Sequence, residues 1–243
     1  MSAELVTNPV DLKKVLLRPD VWRGESYRFA KKQSISTGFE QLDTALLNNG
    51  WPLNQLIEVL QNTPGQGEWQ LLSKAVQAPN MRAGYIILID PPEHLYLPGL
   101  SAMQVHQERI LVVNPKSVSD AIYCFTTAAA SHACIALVAW ESTSFAYKDL
   151  RKLQLSAVYG SGLCFLFRHS KKRAHNSPAS LRLEINMLAE GIELAIHKQR
   201  GSFKQQRVVL DTPKDWQGKP SLSSNDWLQD AVDPSTQILP ISS

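Results

Sequence analysis

The chain has 243 residues, of which 44% are hydrophobic and 19% are charged, a composition typical of a globular protein with a sizeable core. This composition excludes a chain that is disordered throughout, and its 12 Gly and 14 Pro exclude collagen-like sequence. The net charge of +3 provides no global basic field, no apolar run approaches the roughly 18 residues of a membrane helix, and the N-terminus lacks the apolar core of a signal peptide. We therefore expect a cytoplasmic protein with one main domain.

The first residues are predicted to form a helical arm. Residues 8–17 have the pattern of a short helix, because Asn8 can act as its N-cap and Pro9 occupies the first helical position. Pro19 ends this helix, and a linker with several basic residues follows. Residues 1–33 are therefore predicted to be an N-terminal helical arm and linker.

A second helix is predicted over residues 36–47. Thr37 and Glu40 have the spacing of a capping box, in which each residue's side chain bonds the backbone of the other. Apolar residues recur at helical spacing from Phe39 onward, so one face of this helix is expected to be buried.

From residue 56 onward, strands and helices alternate. The predicted strands are continuous apolar runs, a pattern typical of parallel strands buried on both faces. They cover residues 56–60, 84–90, 109–115, 134–141 and 162–169, and the predicted helices between them cover 68–77, 100–107, 117–133 and 146–160. The alternation predicts an α/β fold, with a mostly parallel sheet and helices on both faces.

The last third of the sequence changes character. Residues 181–188 and 192–200 alternate apolar with polar side chains, which predicts a C-terminal antiparallel hairpin. Residues 208–243 are rich in Ser, Pro, Asp and Gln and are predicted to be a flexible acidic tail. The main domain is accordingly predicted to cover residues 34–207.

The cysteines indicate no disulfide or metal site. Cys124, Cys134 and Cys164 are an odd number, have no CxxC spacing and lie in apolar sequence, so we expect buried, reduced thiols. The six His show no close ligand spacing either. No metal, cofactor or catalytic residue is predicted.

The loop after the first central strand is the expected ligand site, because open parallel sheets bind ligands beyond the carboxyl ends of their strands. A nucleoside triphosphatase would carry GxxxxGK[ST] there, with backbone amides that cradle phosphate, a Lys for the phosphates and a hydroxyl for Mg²⁺. This chain has QNTPGQGEW, in which no Lys follows the glycines and a carboxylate stands near the position of the hydroxyl. The degenerate phosphate loop comprises Gln61, Gly65, Gln66, Gly67 and Glu68. A carboxylate at a helix N-terminus competes with phosphate, so we do not expect an ATPase.

A basic segment precedes the acidic tail. Residues 168–207 contain nine Lys or Arg and three Glu, a local charge of +6, whereas residues 211–243 have five Asp and two Lys, a local charge of −3. The candidates for contact with DNA or a protein partner are Arg168, Lys171, Lys172, Arg173, Lys198 and Arg200. Phosphate contact would explain the cluster, and a solvated hairpin face explains it as well.

Three segments resemble the RecA family. The segment STGFEQLDTALLNNGWPLNQLIEVL (36–60) is similar to the one that leads to the RecA phosphate loop, and IILIDPPEHL (86–95) resembles the next strand, with its acidic end. The strand IALVAWES (135–142) lies where RecA proteins keep a metal-assisting Asp. The resemblance implies a RecA-like fold in which Trp140 and Glu141 replace that Asp and the phosphate loop is degenerate.

A more specific resemblance is to the ImuA family of RecA-like accessory proteins. It is carried by RPDVWRG (18–24), STGF..LD (36–43), GWPLNQLIEVL (50–60) and GQGEWQLL (65–72), and it extends in order over roughly residues 9–200. It implies a non-catalytic adaptor of SOS-induced, error-prone translesion DNA synthesis. Such an adaptor works with an inactive Y-family polymerase homologue and an error-prone C-family DNA polymerase. Single-stranded DNA and RecA are further candidate partners, and the N-terminal arm is a candidate for self-association.

Two other functions remain open. One is that of a SulA-like cell division inhibitor that binds a tubulin-like division protein; the predicted arm and complete sheet disfavour it. The other is that of a RecA-like nucleotide-binding protein, which the missing Lys of the phosphate loop disfavours.

Overall fold

The computed structural model describes residues 33–211, except for residues 66, 82, 93–96, 189–190 and 203. The helix predicted over residues 8–17, the remainder of the N-terminal arm and residues 212–243 of the predicted tail lie outside this range. Among the described residues, no helix is both long enough and apolar enough to cross a membrane.

The strands form a small hairpin and a large sheet. The hairpin consists of β1 and β2, which pair antiparallel. In the described part of the chain, the large sheet has eight strands in the order β10-β9-β8-β3-β7-β6-β4-β5. The strands are β1 (Ser34–Ile35), β2 (Trp51–Pro52), β3 (Leu56–Gln61), β4 (Tyr85–Ile89), β5 (Ile110–Val113), β6 (Cys134–Trp140), β7 (Leu163–His169), β8 (Leu181–Leu188), β9 (Gly191–Gln199) and β10 (Gln206–Asp211).

One short helix lies between the two strands of the hairpin, and the other described helices lie between parallel strands of the large sheet. They are α1 (Glu40–Ala45), α2 (Glu68–Val76), α3 (Leu97–Ala102), α4 (Val118–Ala130) and α5 (Tyr147–Ala157), with short 3₁₀ turns at Leu47–Asn49, Pro79–Met81, Gln107–Arg109 and Ser170–Ala174. The predicted mixed α/β architecture with a mostly parallel central sheet is confirmed, because β3 to β8 pair parallel with their neighbours on the inner side of the sheet.

The predicted hairpin is confirmed, and it continues the central sheet. Strand β8 pairs antiparallel with β9 and parallel with β3, so the hairpin lies beside the strand that precedes the phosphate loop. Strand β10 adds to β9 and was not predicted from the sequence. Its last four residues, Val208–Asp211, lie beyond residue 207, where the sequence predicts that the domain ends.

Helices cover both faces of the sheet. Alternate residues of each strand point to opposite faces, so one strand contributes side chains to the apolar clusters on both faces. On one face, Phe165 of β7 packs in an apolar cluster with α2 residues such as Leu71. On the other face, Leu166 packs in a second cluster with Phe125 of α4 and Leu153 of α5. The polar residues at the ends of the central strands therefore lie between two apolar layers.

Three local predictions were wrong. Strand β5 is an edge strand with Leu111 and Val112 each almost half exposed, so the prediction of a buried strand over 109–115 fails. The helix predicted over 100–107 lies earlier, at α3. Thr37 does not cap a helix with Glu40; its hydroxyl accepts a hydrogen bond from the Phe39 amide, and α1 begins only at Glu40.

The cysteine prediction holds for two of three side chains. All three thiols are free, and Cys134 and Cys164 are buried in β6 and β7. Burial raises the pKa of Cys134 to about 12, and burial with the neighbouring Cys134 raises the pKa of Cys164 further. Cys124 on α4 is only partly buried, contrary to the prediction.

Candidate functional site at the carboxyl edge of the sheet

The carboxyl ends of β3, β4, β6 and β7 meet at a cavity of about 370 Å³. Such a volume lies within the usual range for small-molecule sites, and the position agrees with the rule for parallel sheets. Its walls combine apolar and polar side chains, among them Gln61, Pro64, Asp90, Trp140, Phe167 and His169. The Trp140 and Phe167 rings are stacked with centroids 5.5 Å apart, which gives the cavity one flat aromatic wall.

The degenerate phosphate loop borders this cavity and is closed by its own carboxylate. The backbone amide of Gly65 donates a hydrogen bond to Oε1 of Glu68 at 2.9 Å. Glu68 is the first residue of α2 and is only 6% exposed, so its carboxylate is fixed at the positive end of the helix. A phosphate group would have to displace this carboxylate to reach the Gly65 amide.

Two further residues of the loop, Gly67 and Gln61, are described by the structure. Gly67 has the left-handed conformation, with φ of 90°, and a Cβ atom there would lie 2.3 Å from Cδ1 of Ile192. Gln61 is the last residue of β3; it is 4% exposed, and its Oε1 has no hydrogen-bond partner in the described structure. Gln66 lies outside the described residues.

A buried ionic cluster adjoins the cavity, and two of its members, Glu141 and Arg168, are among the residues that line the cavity. Arg168 on β7 donates from Nε and Nη2 to the two carboxylate oxygens of Glu141, at 2.8 and 2.9 Å. Its Nη1 donates to Oε1 of Glu58 on β3, at 3.0 Å. Oε1 of Glu141 also accepts a hydrogen bond from the Phe145 amide, so this carboxylate is held from two sides.

A second arginine completes the cluster. Arg182 on β8 donates from Nε to Oε1 of Glu58 at 3.2 Å, and its Nη1 and Nη2 donate to the carbonyls of Arg173 and Lys172. Glu58 is fully buried, and its Oε2 has no hydrogen-bond partner among the described residues. Two carboxylates thus face two guanidinium groups, and their formal charges cancel inside the sheet.

The structure does not place Arg168 at the protein surface, where contact with DNA or a partner was predicted. Arg168 is 2% exposed, and each of its three guanidinium nitrogens donates a hydrogen bond to a carboxylate of the cluster. Burial alone would lower the pKa of Arg168, but the hydrogen bonds and charges of Glu141 and Glu58 raise it. The physical reason is its position inside the apolar strand β7, which takes the side chain into the core rather than to the surface.

The neighbouring basic residues do lie at the surface. Lys171, Lys172 and Arg173 occupy the 3₁₀ turn that follows the carboxyl end of β7. Lys171 is exposed, Lys172 donates to Oγ of Ser144 at 2.7 Å, and Nη1 of Arg173 lies 3.5 Å from Glu184. These three side chains form the basic turn, which borders the cavity next to His169.

The last two candidate residues do not converge on one point. Lys198 pairs in register with Arg182 and donates from Nζ to the Ser177 carbonyl at 2.8 Å. Partial burial lowers the pKa of Lys198; Glu58 opposes this effect, and Arg182 adds to it. Arg200 lies at the opposite end of the strands from the cavity, because its amide donates a hydrogen bond to the carbonyl of Ser180, just before β8 begins. The six predicted contact residues therefore do not form one stripe.

Sequence reasoning missed Glu58 and Arg182 as members of a site. The available signal was their setting: Glu58 is the one charged residue in the apolar run LIEVL, and a buried carboxylate requires a buried cation. Arg168 in LCFLFRH and Arg182 in LRLEINML are cations in equally apolar strands. Pairing the isolated charges of neighbouring strands would have identified the cluster.

No protein-family model and no curated protein matches the chain.

Proposed function

We propose that the chain is a cytoplasmic, non-catalytic adaptor with a RecA-like fold, which takes part in SOS-induced, error-prone translesion DNA synthesis. Its partners are an inactive Y-family polymerase homologue and an error-prone C-family DNA polymerase. The observation that carries this proposal is the contact between the Glu68 carboxylate and the Gly65 amide, which occupies the loop where a nucleotide phosphate would bind.

The fold supports the proposal at the level of architecture. A Gly-rich loop connects a buried central parallel strand, β3, to a helix, α2, which is the arrangement of phosphate-binding loops in α/β proteins. The sequence resemblance to the ImuA family over roughly residues 9–200 spans the described strands from β1 to β9. The proposed polymerase partners follow from this resemblance, and the proposed absence of catalysis follows from the chemistry of the loop.

The acidic residue after β6 also supports a non-catalytic role. A carboxylate that is paired with a buried guanidinium is a weaker partner for a metal-bound nucleotide, because the guanidinium competes for its oxygens. Both oxygens of Glu141 are engaged by Arg168, and one of them also accepts a bond from Phe145. The described residues contain no group of three or more His, Cys, Asp or Glu side chains placed to hold a metal ion.

The partner proposal is tested by affinity capture of the tagged protein from DNA-damaged cells, followed by mass spectrometry. We expect subunits of a Y-family-like protein and a C-family polymerase, and we expect both to bind the purified chain. Capture of a tubulin-like division protein in their place would contradict the proposal and favour the SulA-like function.

The non-catalytic part is tested by titration with a fluorescent ATP analogue, with and without Mg²⁺. We expect no Mg²⁺-dependent micromolar binding, since the Gly65 amide is already paired with Glu68. In the Glu68→Ala variant that amide becomes available, and any weak anion binding should increase; Glu108→Ala, at an exposed position, is the matched control. Tight Mg²⁺-dependent binding by the unmodified chain would contradict the proposal.

A further inference from the structure

Helix α5 presents an outward face that no part of the described chain covers. Four large apolar side chains on or next to this helix are more than half exposed: Tyr147 by 52%, Leu155 by 53%, Val158 by 57% and Tyr159 by 74%. The helix also exposes Lys148, Arg151 and Lys152. We refer to these seven residues as the α5 face.

The α5 face is a continuous stripe. At about 100° per residue, its seven positions fall within an arc of about 140°, and they extend over about 18 Å of helix. The opposite arc is buried: Leu150, Leu153 and Ala157 pack against the sheet. The exposed apolar residues are therefore not the inner side of a displaced helix, because the inner side already has its own apolar residues.

The charge of the α5 face is entirely positive. The acidic residue of the helix, Asp149, is 8% exposed and turns back to accept a hydrogen bond from the Ala146 amide. Lys152 lies 4.0 Å from Asp149, whereas Lys148 and Arg151 form no ion pair with any described residue. Three cations thus stand among four exposed apolar side chains without an accessible carboxylate.

We propose that the α5 face is a docking surface for an acidic amphipathic segment of a partner protein. The tyrosines, Leu155 and Val158 would pack against apolar residues spaced three or four apart, as in a helix laid along a helix. Lys148, Arg151 and Lys152 would meet carboxylates that flank those residues. The biological role of this docking surface rests on the proposed adaptor function. The chemistry of binding at the α5 face does not depend on which polymerase is the partner.

Two other occupants fit this face less well. A second copy of the chain would place three cations against three cations if the faces met symmetrically, which costs free energy. Single-stranded DNA would use the basic and aromatic residues, but its bases and phosphates bind in charged grooves, whereas the exposed Leu155 and Val158 lie on a convex helix. The mixture of aliphatic, aromatic and basic residues favours a protein segment.

The proposal is tested with displayed random peptides of about 16 residues, long enough to cover the stripe as a helix. The library is selected on the full chain, and individual peptides are then measured by fluorescence anisotropy. We expect the selected peptides to carry a net negative charge and apolar residues three or four positions apart. Binding should weaken about tenfold in the Lys148→Glu, Arg151→Glu, Lys152→Glu variant, and also when salt rises from about 0.1 to about 0.5 M.

The controls separate the surface from the fold. The Leu155→Ser, Tyr159→Ser variant should also lose binding, and every substituted side chain is exposed, so urea unfolding should change little. The Lys171→Glu, Lys172→Glu variant changes another basic surface and should bind the peptides as the unmodified chain does. Peptides that bind the α5 variants unchanged, a selection that yields none, or single-stranded DNA binding lost through the α5 variants would each overturn the proposal. Failure to recover a polymerase from cells would instead count against the proposed function.

Discussion

The buried ionic cluster and the basic turn are adjacent in the chain and opposite in character. Arg168 lies three residues before Lys171, and both were predicted to contact a partner. Arg168 is 2% exposed and satisfied by Glu141 and Glu58, whereas Lys171 faces solvent. The comparison teaches that a cation inside an apolar strand is buried, whereas a cation just beyond the strand reaches solvent. Clustering of charges along the sequence does not distinguish these two positions.

The two regions also differ in what the loss of a charge would cost. A buried ion pair adds little net stability over apolar residues, but removal of one partner leaves the other charge unpaired in a medium of low dielectric constant. A surface ion pair contributes about 0–1 kcal/mol because water and salt screen it. The same substitution should therefore give very different results in the two regions.

The largest expected effect is that of Arg168→Met. This change leaves Glu58 and Glu141 buried without their principal cation, and it should lower the free energy of unfolding by about 3–5 kcal/mol. Urea denaturation followed by circular dichroism measures the change. Lys171→Met, three residues later, is the matched control and should shift the free energy by no more than about 0.5 kcal/mol. Equal effects of the two substitutions would show that the comparison is wrong.

The next expected effect concerns the thiols in the same interior. Because burial raises the pKa of Cys134 from 9.0 to about 12, its thiolate should be about a thousandfold less populated near pH 8 than that of an ordinary thiol. Iodoacetamide should therefore modify the partly exposed Cys124 well before Cys134 or Cys164, as peptide mapping would show. Early modification of Cys134 in the folded chain would contradict this.

The same shift predicts a dependence of stability on pH. Between about pH 9 and 12 the folded chain keeps the Cys134 proton while the unfolded chain loses it, so the free energy of unfolding should fall as pH rises. The slope from this group approaches about 1.4 kcal/mol per pH unit. In urea titrations, the Cys134→Ala variant should show a smaller slope than the unmodified chain.

Much of the fold could be predicted because hydrophobic period and local caps determine it. The continuous apolar runs became β3, β4, β6 and β7, and Ser117 caps α4 by accepting a hydrogen bond from the Asp120 amide. The run at 109–115 was misjudged because apolar content does not distinguish a central strand from an edge strand. That distinction depends on the sheet order, which places β5 last.

The position of the candidate site could be predicted from the sequence, but the contacts within the site could not. The sequence predicts a carboxylate at the start of α2, but the bond from the Gly65 amide to Glu68 depends on the left-handed turns at Gly65 and Gly67. The two arginines of the ionic cluster lie 110 and 124 residues beyond Glu58, the carboxylate that they share. Such pairs follow from the strand order, which no local pattern contains.

A smaller effect tests the closed loop beside the cavity. Gly67→Ala should destabilise the chain by about 1–3 kcal/mol, because φ of 90° strains an L-residue and the new Cβ meets Ile192. Gly65→Ala has a similar φ of 82° but open space around it, so it should show only the conformational cost of about 1 kcal/mol. Combining Gly67→Ala with Ile192→Val, which removes the contacted methyl, should recover part of the loss if the contact is real.

The smallest effect on stability, and the sharpest test of the outer region, is expected from reversal of the basic turn. Lys171→Glu, Lys172→Glu and Arg173→Glu together should change the free energy of unfolding by no more than about 1 kcal/mol, since all three side chains reach solvent. If the turn contacts phosphates, the same variant should abolish salt-sensitive binding of a fluorescent single-stranded oligonucleotide, because three cations that release counterions have become three anions. The matched control is Lys148→Glu, Arg151→Glu, Lys152→Glu on α5, with the same change of charge on a different surface. If oligonucleotide binding survives in the basic-turn variant, the turn is a solvent-exposed surface that does not contact phosphates. The basic turn and Arg168 would then differ only in how much their substitution changes the free energy of unfolding.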